Sequence, residues 1–427
     1  MAVGAGLVER VLRSVEECRD ELVELAAGLV RFPTVNPPGD GYRDCAEWLG
    51  RRLESLDFAV DYVIAEERPE HSERYPRVNV VGLRGGRSAR PLVHLNGHID
   101  VVPAGEGWTV DPFAGLVRDG RLYGRGSADM KAGLACAVYA AEALRRAGAE
   151  LAGSIEISGT VDEESGGFAG VAHLAEIGRI ASGRTDHVII PEPLDPDRIC
   201  IGHRGVYWFE VTARGRIAHG SMPFLGVNAI AGMGALLEAV RTRLEPQLAK
   251  RTTAMPVVPP AARRASINVN AITGGQARQR EQTPCVADRC TAIFDRRFLV
   301  EEPFAETRQE IAELVAEVAA AQAGLEFEVA DRMVVHPVRT PDGSPLVASL
   351  ERSIGEVFGR PPALVASPGT YDHKHFARIA GVESCVAYGP GILEQAHQPD
   401  EWCAIDDMVG ATQVMALTLL DLVCRGE

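Results

Sequence analysis

The sequence predicts an α/β protein whose main layer is interrupted by a smaller α+β unit. Three observations predict it. Short apolar runs alternate with helical stretches through residues 78–190, as in a largely parallel sheet with covering helices. Near residue 205 the strands begin to alternate in polarity, and after residue 340 the first pattern resumes. Length agrees, since 427 residues are too many for one ordinary core.

Residues 8–30 read as one amphipathic helix, with Leu12, Val15, Leu22, Leu25 and Leu29 near helical spacing. Pro33 and Pro37-Pro38 stop it. Residues 78–83 and 92–95 are apolar runs bounded by polar or glycine residues, and read as buried strands. Residues 132–147 are alanine-rich and apolar on most sides, which predicts a helix packed on the sheet. Residues 155–161 and 187–190 add two strands. In the insert, 206–213 alternate like a half-exposed strand, 229–244 are helical, and 266–272 and 286–298 are strands. A long helix over 302–323 carries Ile311, Leu314 and Val318 on one face, and 325–335 form a strand. The outer layer returns with a helix over 346–358 and a strand near 385–388. The first domain is therefore expected to hold 1–204 and 336–427, and the inserted one 205–335, a usual size for a small domain.

Composition is ordinary for a globular chain, at 46% hydrophobic and 24% charged. A net charge of −15 with no basic stripe argues against a nucleic-acid partner. No apolar run approaches the ~18 residues of a membrane-spanning helix, so no membrane partner is expected. Met1-Ala2-Val3-Gly4 lacks a basic patch leading into an apolar stretch, so no signal peptide is expected. The nine cysteines are scattered without a Cys-x-x-Cys pair, which fits reduced thiols in the cytoplasm better than disulfides or a thiolate zinc site.

The chemistry sits at the ends of the expected strands. Strand 92–95 runs into His98 and Asp100, two apart on one side of an extended chain. An imidazole suits zinc, manganese or cobalt, and a nearby carboxylate can hold its other nitrogen. A glycine-rich stretch leads to Asp129 at a helix start, where the dipole favours an acid. Asp162-Glu163-Glu164 follow a strand, and like charges so close call for a positive partner. Glu192 follows strand 187–190. Singly, each has a plain structural reading: a core histidine, a helix cap, a solvated acidic loop, a loop acid. Together they gather at the carboxyl ends of strands, where open α/β sheets bind ligands, and they read as a metal site.

At these residues the chain resembles peptidase family M20, the dinuclear metallo-aminoacylase and carboxypeptidase family. The resemblance covers essentially the whole chain. It rests on Gly97-His98-Ile99-Asp100, Trp108 to Phe113 with Leu122 to Gly133, Asp162-Glu163-Glu164, Pro191-Glu192-Pro193 and Ala218-His219-Gly220. Near the C-terminus it rests on Gly389-Pro390-Gly391 and on Gln395 through Glu401. The resemblance implies a zinc-peptidase-like α/β catalytic domain with a mostly parallel sheet, interrupted by a ferredoxin-like lid and dimerisation domain. It implies one or two divalent ions per subunit (zinc, manganese or cobalt). Asp129 would bridge two ions, His98 and Glu192 would complete one site, and Glu164 and His397 the other. Glu163 would be the general base, Asp100 the partner of His98, and His219 the stabiliser of the developing oxyanion. A homodimer or higher homo-oligomer through the lid is expected, with residues 229–244 as the pairing segment.

The match breaks around the substrate. Relatives often carry Gly-Thr-Asp-x-Arg where this chain has Thr370-Tyr371-Asp372-His373-Lys374. Lys374 is a poor substitute for a bidentate carboxylate clamp. The lid segment Gln282 to Arg289 lacks the Asn of relatives and gains Arg289, while Arg297 matches an Arg that often reads a substrate carboxylate. Arg297, Arg289, Tyr371 and Lys374 are thus the candidate substrate contacts, with His373 and His375 as further rings that face an aromatic substrate or simply pack. The expected reaction is metal-dependent hydrolysis of a C–N bond in a small carboxylate-bearing substrate, most conventionally an N-acyl amino acid. Alternatives are hydrolytic deamination of an aromatic amine such as 5-nitroanthranilate, and a catalytically dead binding protein of the same fold.

Overall fold

The computed structural model describes residues 5–275 and 284–424. The readings on Met1 to Gly4 and on Gln282 and Thr283 lie outside the described residues. The chain divides into two compact units. One takes the described residues within Met1–Gly202, Thr340–Val365 and Tyr371–Glu427; the other takes those within His203–Arg339 and Ala366–Thr370.

The first unit is built on a mixed sheet. In spatial order its strands run Ala59–Ile64, Val78–Arg84, Ser154–Thr160, Leu92–His98, His187–Pro193, Cys385–Gly389 and Arg198–His203. The four central strands, Ser154–Thr160 to Cys385–Gly389, are parallel, and the flanking pairs are antiparallel. Leu92–His98 and Ser154–Thr160 are buried along their whole length, as parallel strands covered on both faces must be. Helix Lys131–Arg146 packs against helix Ile405–Val423 and the sheet, and is buried from Lys131 to Leu144. A Cβ on Gly133 would lie 1.9 Å from the Pro191 carbonyl oxygen. The absent side chain lets this helix rest directly on the strand that carries Glu192.

Sequence and structure differ here, and helix Ile405–Val423 and strand Arg198–His203 are among the elements the sequence analysis did not name. The helix read over 8–30 is two helices, Ala5–Glu17 and Arg19–Val30, broken at Cys18 where ψ turns to 2°. The apolar spacing continues through the break, so periodicity alone does not reveal it. Helix Tyr42–Ser55 and strand Ala59–Ile64 are additional elements. The strand is an edge with little buried surface, which weakens its alternation, but the helix buries Tyr42, Cys45, Ala46, Leu49 and Leu53 at readable spacing.

The second unit runs strand, helix, strand, strand, helix, strand: Gly205–Arg214, Ala229–Ala239, Ser266–Gly274, Arg289–Phe298, Phe304–Ala320 and Glu326–Val335. This is the ferredoxin-like order. Its antiparallel sheet is ordered Ser266–Gly274, Arg289–Phe298, Gly205–Arg214, Glu326–Val335. Phe209 stacks on Phe294 at 5.0 Å in its core, beside buried Met233 and Ile311. Among the described residues no helix of either unit is long and apolar enough to cross a membrane.

A buried polar cluster sits within the first unit's sheet. His94 Nδ1 is 3.0 Å from Glu156 Oε1, and Arg184 Nη1 donates to the same oxygen at 2.7 Å. Burial would raise the Glu156 carboxyl, but the hydrogen bonds from Arg184 and His94 outweigh it and bring it from 4.5 down to about 2. A carboxyl depressed on folding stabilises the fold above its unfolded pKa and loses that contribution as pH falls through its folded value. Glu156→Gln is therefore expected to be less stable than wild type at neutral pH. The difference should shrink below pH 4.5 and close near pH 2. Urea midpoints across this range check it; a constant difference would exclude the titration of Glu156 as its cause.

Candidate metal centre

Four of the chemical side chains are delivered by the parallel centre of the sheet. His98 ends strand Leu92–His98, level with Thr160 on its neighbour, so the turn carrying Glu163 and Glu164 begins beside it. Asp162 makes that reversal with φ of 63°. Its carboxylate is held by Arg77 Nε at 2.9 Å and the Tyr42 hydroxyl at 2.8 Å. Glu192 lies within strand His187–Pro193 rather than past its end, because the strand runs on beyond the apolar stretch. Asp129 precedes helix Lys131–Arg146, and His397 follows the short turn Leu393–Gln395.

His98, Glu164 and His397 converge on Asp129. Its Oδ1 is 3.1 Å from His98 Nε2 and its Oδ2 is 3.4 Å from His397 Nε2. His397 Nε2 also lies 3.1 Å from Glu164 Oε1. One ligand atom each from His98, Asp129 and Glu164 falls within 4.8 Å of the others. A carboxylate with one imidazole at each oxygen is the arrangement a bridging ligand needs. The other nitrogen of His98 meets the Asp100 backbone carbonyl at 2.9 Å, closer than the Asp100 carboxylate at 3.5 Å. Donation from Nδ1 to that carbonyl leaves Nε2 free to ligate.

The electrostatics point the same way. Burial pushes Glu164 up to about 7 and Glu192 well above its ordinary value, with the negative charge of Asp129 adding to both. Burial also raises Glu163. His397 is raised to about 10 by Asp129 and Glu164. Asp129 is pulled below its ordinary value although burial opposes it, because His397 and His98 both hydrogen-bond to it. Buried acids that crowd each other and lean on imidazoles form a donor set suited to a divalent cation. Its nitrogen and oxygen atoms fit zinc, manganese or cobalt.

Asp100 does more than face His98. Its carboxylate accepts the backbone N–H of Glu163 at 3.2 Å and of Glu164 at 3.1 Å, and the Asn36 amide at 2.9 Å. It thereby pins the acidic turn. Asn36 has no motif of its own beyond its place before Pro37, and sequence reading passes over it. Asn96 and Asp372 are likewise additional: the Asn96 amide donates to Asp372 at 3.1 Å.

Two candidate substrate contacts, Lys374 and Tyr371, are buried. Lys374 is buried with its ammonium 3.6 Å from Glu163 Oε1, so Glu163 is its partner. Tyr371 is buried, with its hydroxyl 3.4 Å from Cys200 Sγ and 3.3 Å from His373 Nδ1. Burial also pushes His373 and His375 down to about 3. These rings pack inside the fold, where the short helix His373–Arg378 is buried from His373 to Phe376. The remaining candidates belong to the second unit. Arg297 is paired with Asp295 at 2.8 and 3.0 Å, and Arg289 is exposed at the start of its strand. His219 is exposed, and its Nδ1 accepts from the Ser221 amide and hydroxyl at 3.1 and 2.7 Å.

Comparison with known proteins shows the family. Residues 94–421 match peptidase family M20/M25/M40. A Methylobacterium radiotolerans protein named succinyl-diaminopimelate desuccinylase is 40% identical over 228 residues, which is 52% of this chain and 56% of that relative. A Methylobacillus flagellatus protein of the same name is 30% identical over 403 residues, covering 93% of this chain and 98% of the relative. Among solved structures, an M20 family metallo-carboxypeptidase from Sulfolobus solfataricus superposes with a TM-score of 0.73 at 20% identity, covering 93% of this chain and 98% of its own. At that identity the likeness is one of fold.

Proposed function

Since the chain belongs to peptidase family M20/M25/M40 and is a metal-dependent hydrolase, we propose that it removes the acyl group from an N-acyl amino acid by hydrolysing the amide. The observation that carries this reading is Asp129 held between His98 and His397 with Glu163 on the adjoining turn. His98, Asp129, Glu164, Glu192 and His397 would hold one or two divalent ions. When bound, such an ion polarises a carbonyl and acidifies water.

The protein's own residues supply the rest. Glu163 takes a proton from the attacking water and passes it to the leaving nitrogen. Burial raises its pKa, which suits a group that must first accept a proton and then give it up. Lys374 and the pinned backbone of the turn fix where that carboxylate sits. Asp100 keeps His98 and the turn in register. The roles of His219 on the developing oxygen and of Arg297 on a substrate carboxylate, and a homodimer through residues 229–244, enter this proposal from the family resemblance.

The relatives' name makes N-succinyl amino acids the first substrates to try. Tyr371, His373 and His375 are buried, so the rings that suggested an aromatic amine give that reading no support. The test is product analysis by mass spectrometry. Manganese- or zinc-loaded protein meets N-succinyl and N-acetyl amino acids, dipeptides and aminobenzoates. A free amino acid plus the matching acid is expected. Ammonia and a hydroxylated aromatic would overturn the deacylase reading, and dipeptide cleavage alone would move the substrate to peptides.

A further inference from the structure

One buried ion pair touches the backbone on both sides of the centre. Arg125 and Glu401 are almost wholly inaccessible and paired through Nη1 and Oε2. The other Glu401 oxygen accepts three backbone N–H groups, from Gly126 at 3.0 Å, Ala128 at 2.8 Å and Asp129 at 3.1 Å. Three converging amides form an anion nest, and its occupant here is a side chain of the chain itself. The Arg125 fork reaches the other way. Nη2 donates to the His397 carbonyl at 3.3 Å and the Ala104 carbonyl at 3.0 Å, and Nη1 to the Gln398 carbonyl at 3.2 Å. His397 itself sits at φ of 65°, a left-handed backbone that a residue with a side chain adopts only when held. A planar, always charged fork is the group that can hold several carbonyls at fixed angles.

Stability alone does not account for such a pair. Buried ion pairs replaced together by apolar groups are often neutral or stabilising. What an apolar pair cannot do is grip the Asp129 amide and the His397 carbonyl at once. We propose that Arg125 and Glu401 form a positioning clamp, in which Glu401 fixes Asp129 and Arg125 fixes His397, so that the spacing of these two metal ligands is set before any ion binds. The clamp rests on the metal-centre reading above.

The test is cobalt uptake, not turnover. Chelator-treated full-length protein is titrated with Co(II), following heat and the visible absorption band, for wild type, Glu401→Gln and the double variant Arg125→Met with Glu401→Gln. Both variants are expected to bind roughly 10- to 100-fold more weakly than wild type, with a shifted band. Glu401→Gln also leaves Arg125 buried without its countercharge and should melt at a lower temperature, whereas the double variant recovers its melting but not its affinity. A double variant with wild-type affinity and spectrum would overturn the clamp and leave the pair a packing element. Wild-type protein that takes up no Co(II) would instead overturn the metal-centre reading, and the clamp with it.

Discussion

Glu163→Gln is expected to lower the rate of amide hydrolysis by roughly 10²–10⁴-fold while leaving divalent-metal affinity unchanged. The substitution keeps the shape of the side chain and its backbone amide, which Asp100 accepts at 3.2 Å. It removes the basic oxygen. The Glu163 carboxylate is paired with the Lys374 ammonium, so the loss should fall on proton transfer. Lys374, 3.6 Å away, then stays buried without its carboxylate, and a modest fall in melting temperature accompanies the kinetic effect. Turnover with whichever substrate the product analysis identifies, together with calorimetric metal titration, separates the outcomes. Unchanged turnover would remove Glu163 as the base. A loss of metal affinity in step with turnover would make it a ligand.

Much of this arrangement is legible in the sequence, and the reason is the placement of the apolar runs. His98, Glu163, Glu164 and Glu192 stand at or near the ends of apolar runs, and such runs mark buried parallel strands even without helical or alternating pattern. Strand ends in an α/β sheet converge in space, so acids and imidazoles far apart in the chain could be gathered from sequence alone. His397 is different. It lies in a loop with no strand of its own, and the family motif around it, not hydropathy, identified it.

What sequence could not supply is the backbone that holds these groups. Asp100 was read as the partner of His98, yet its oxygens mostly grip the amides of Glu163 and Glu164. Glu401 likewise works through amides, and Asn36 works through the Asp100 carboxylate. Contacts to N–H groups leave no mark on residue type, since every residue but proline offers the same donor. Tyr371 and Lys374 show the opposite difficulty. Their residue types suggested substrate chemistry, but both are buried, and a six-residue helix buried at four consecutive positions carries no polarity pattern to report it. A substrate pocket is therefore harder to read than a metal centre, because its residues need only face a space, whereas ligands must also be the right atoms.

Asp129→Asn is expected to weaken divalent-metal binding by more than ~100-fold, beyond the usual effect of losing an outer-shell partner, and to abolish hydrolysis. Each Asp129 oxygen faces a different imidazole, His98 Nε2 at 3.1 Å and His397 Nε2 at 3.4 Å. An asparagine offers one acceptor and one donor, so whichever way it turns, one side of the centre meets an N–H where it needs a lone pair. The same change has a signature that needs neither metal nor substrate. His397 is raised to about 10 because Asp129 and Glu164 both hydrogen-bond to it. Removing the first of those charges should let its imidazole lose its proton at lower pH, which NMR titration of chelator-treated protein reads directly. The contribution that this imidazolium makes to stability is present below its unfolded pKa of 6.5 and is lost as pH rises through its folded value, so the variant should lose it at lower pH than wild type. Tight binding of a single ion, with only a second one lost, would show that Asp129 serves one site and does not bridge two. An unmoved His397 titration would show that Glu164 alone governs that imidazole, and the reading of Asp129 as the hub of the centre would have to be given up.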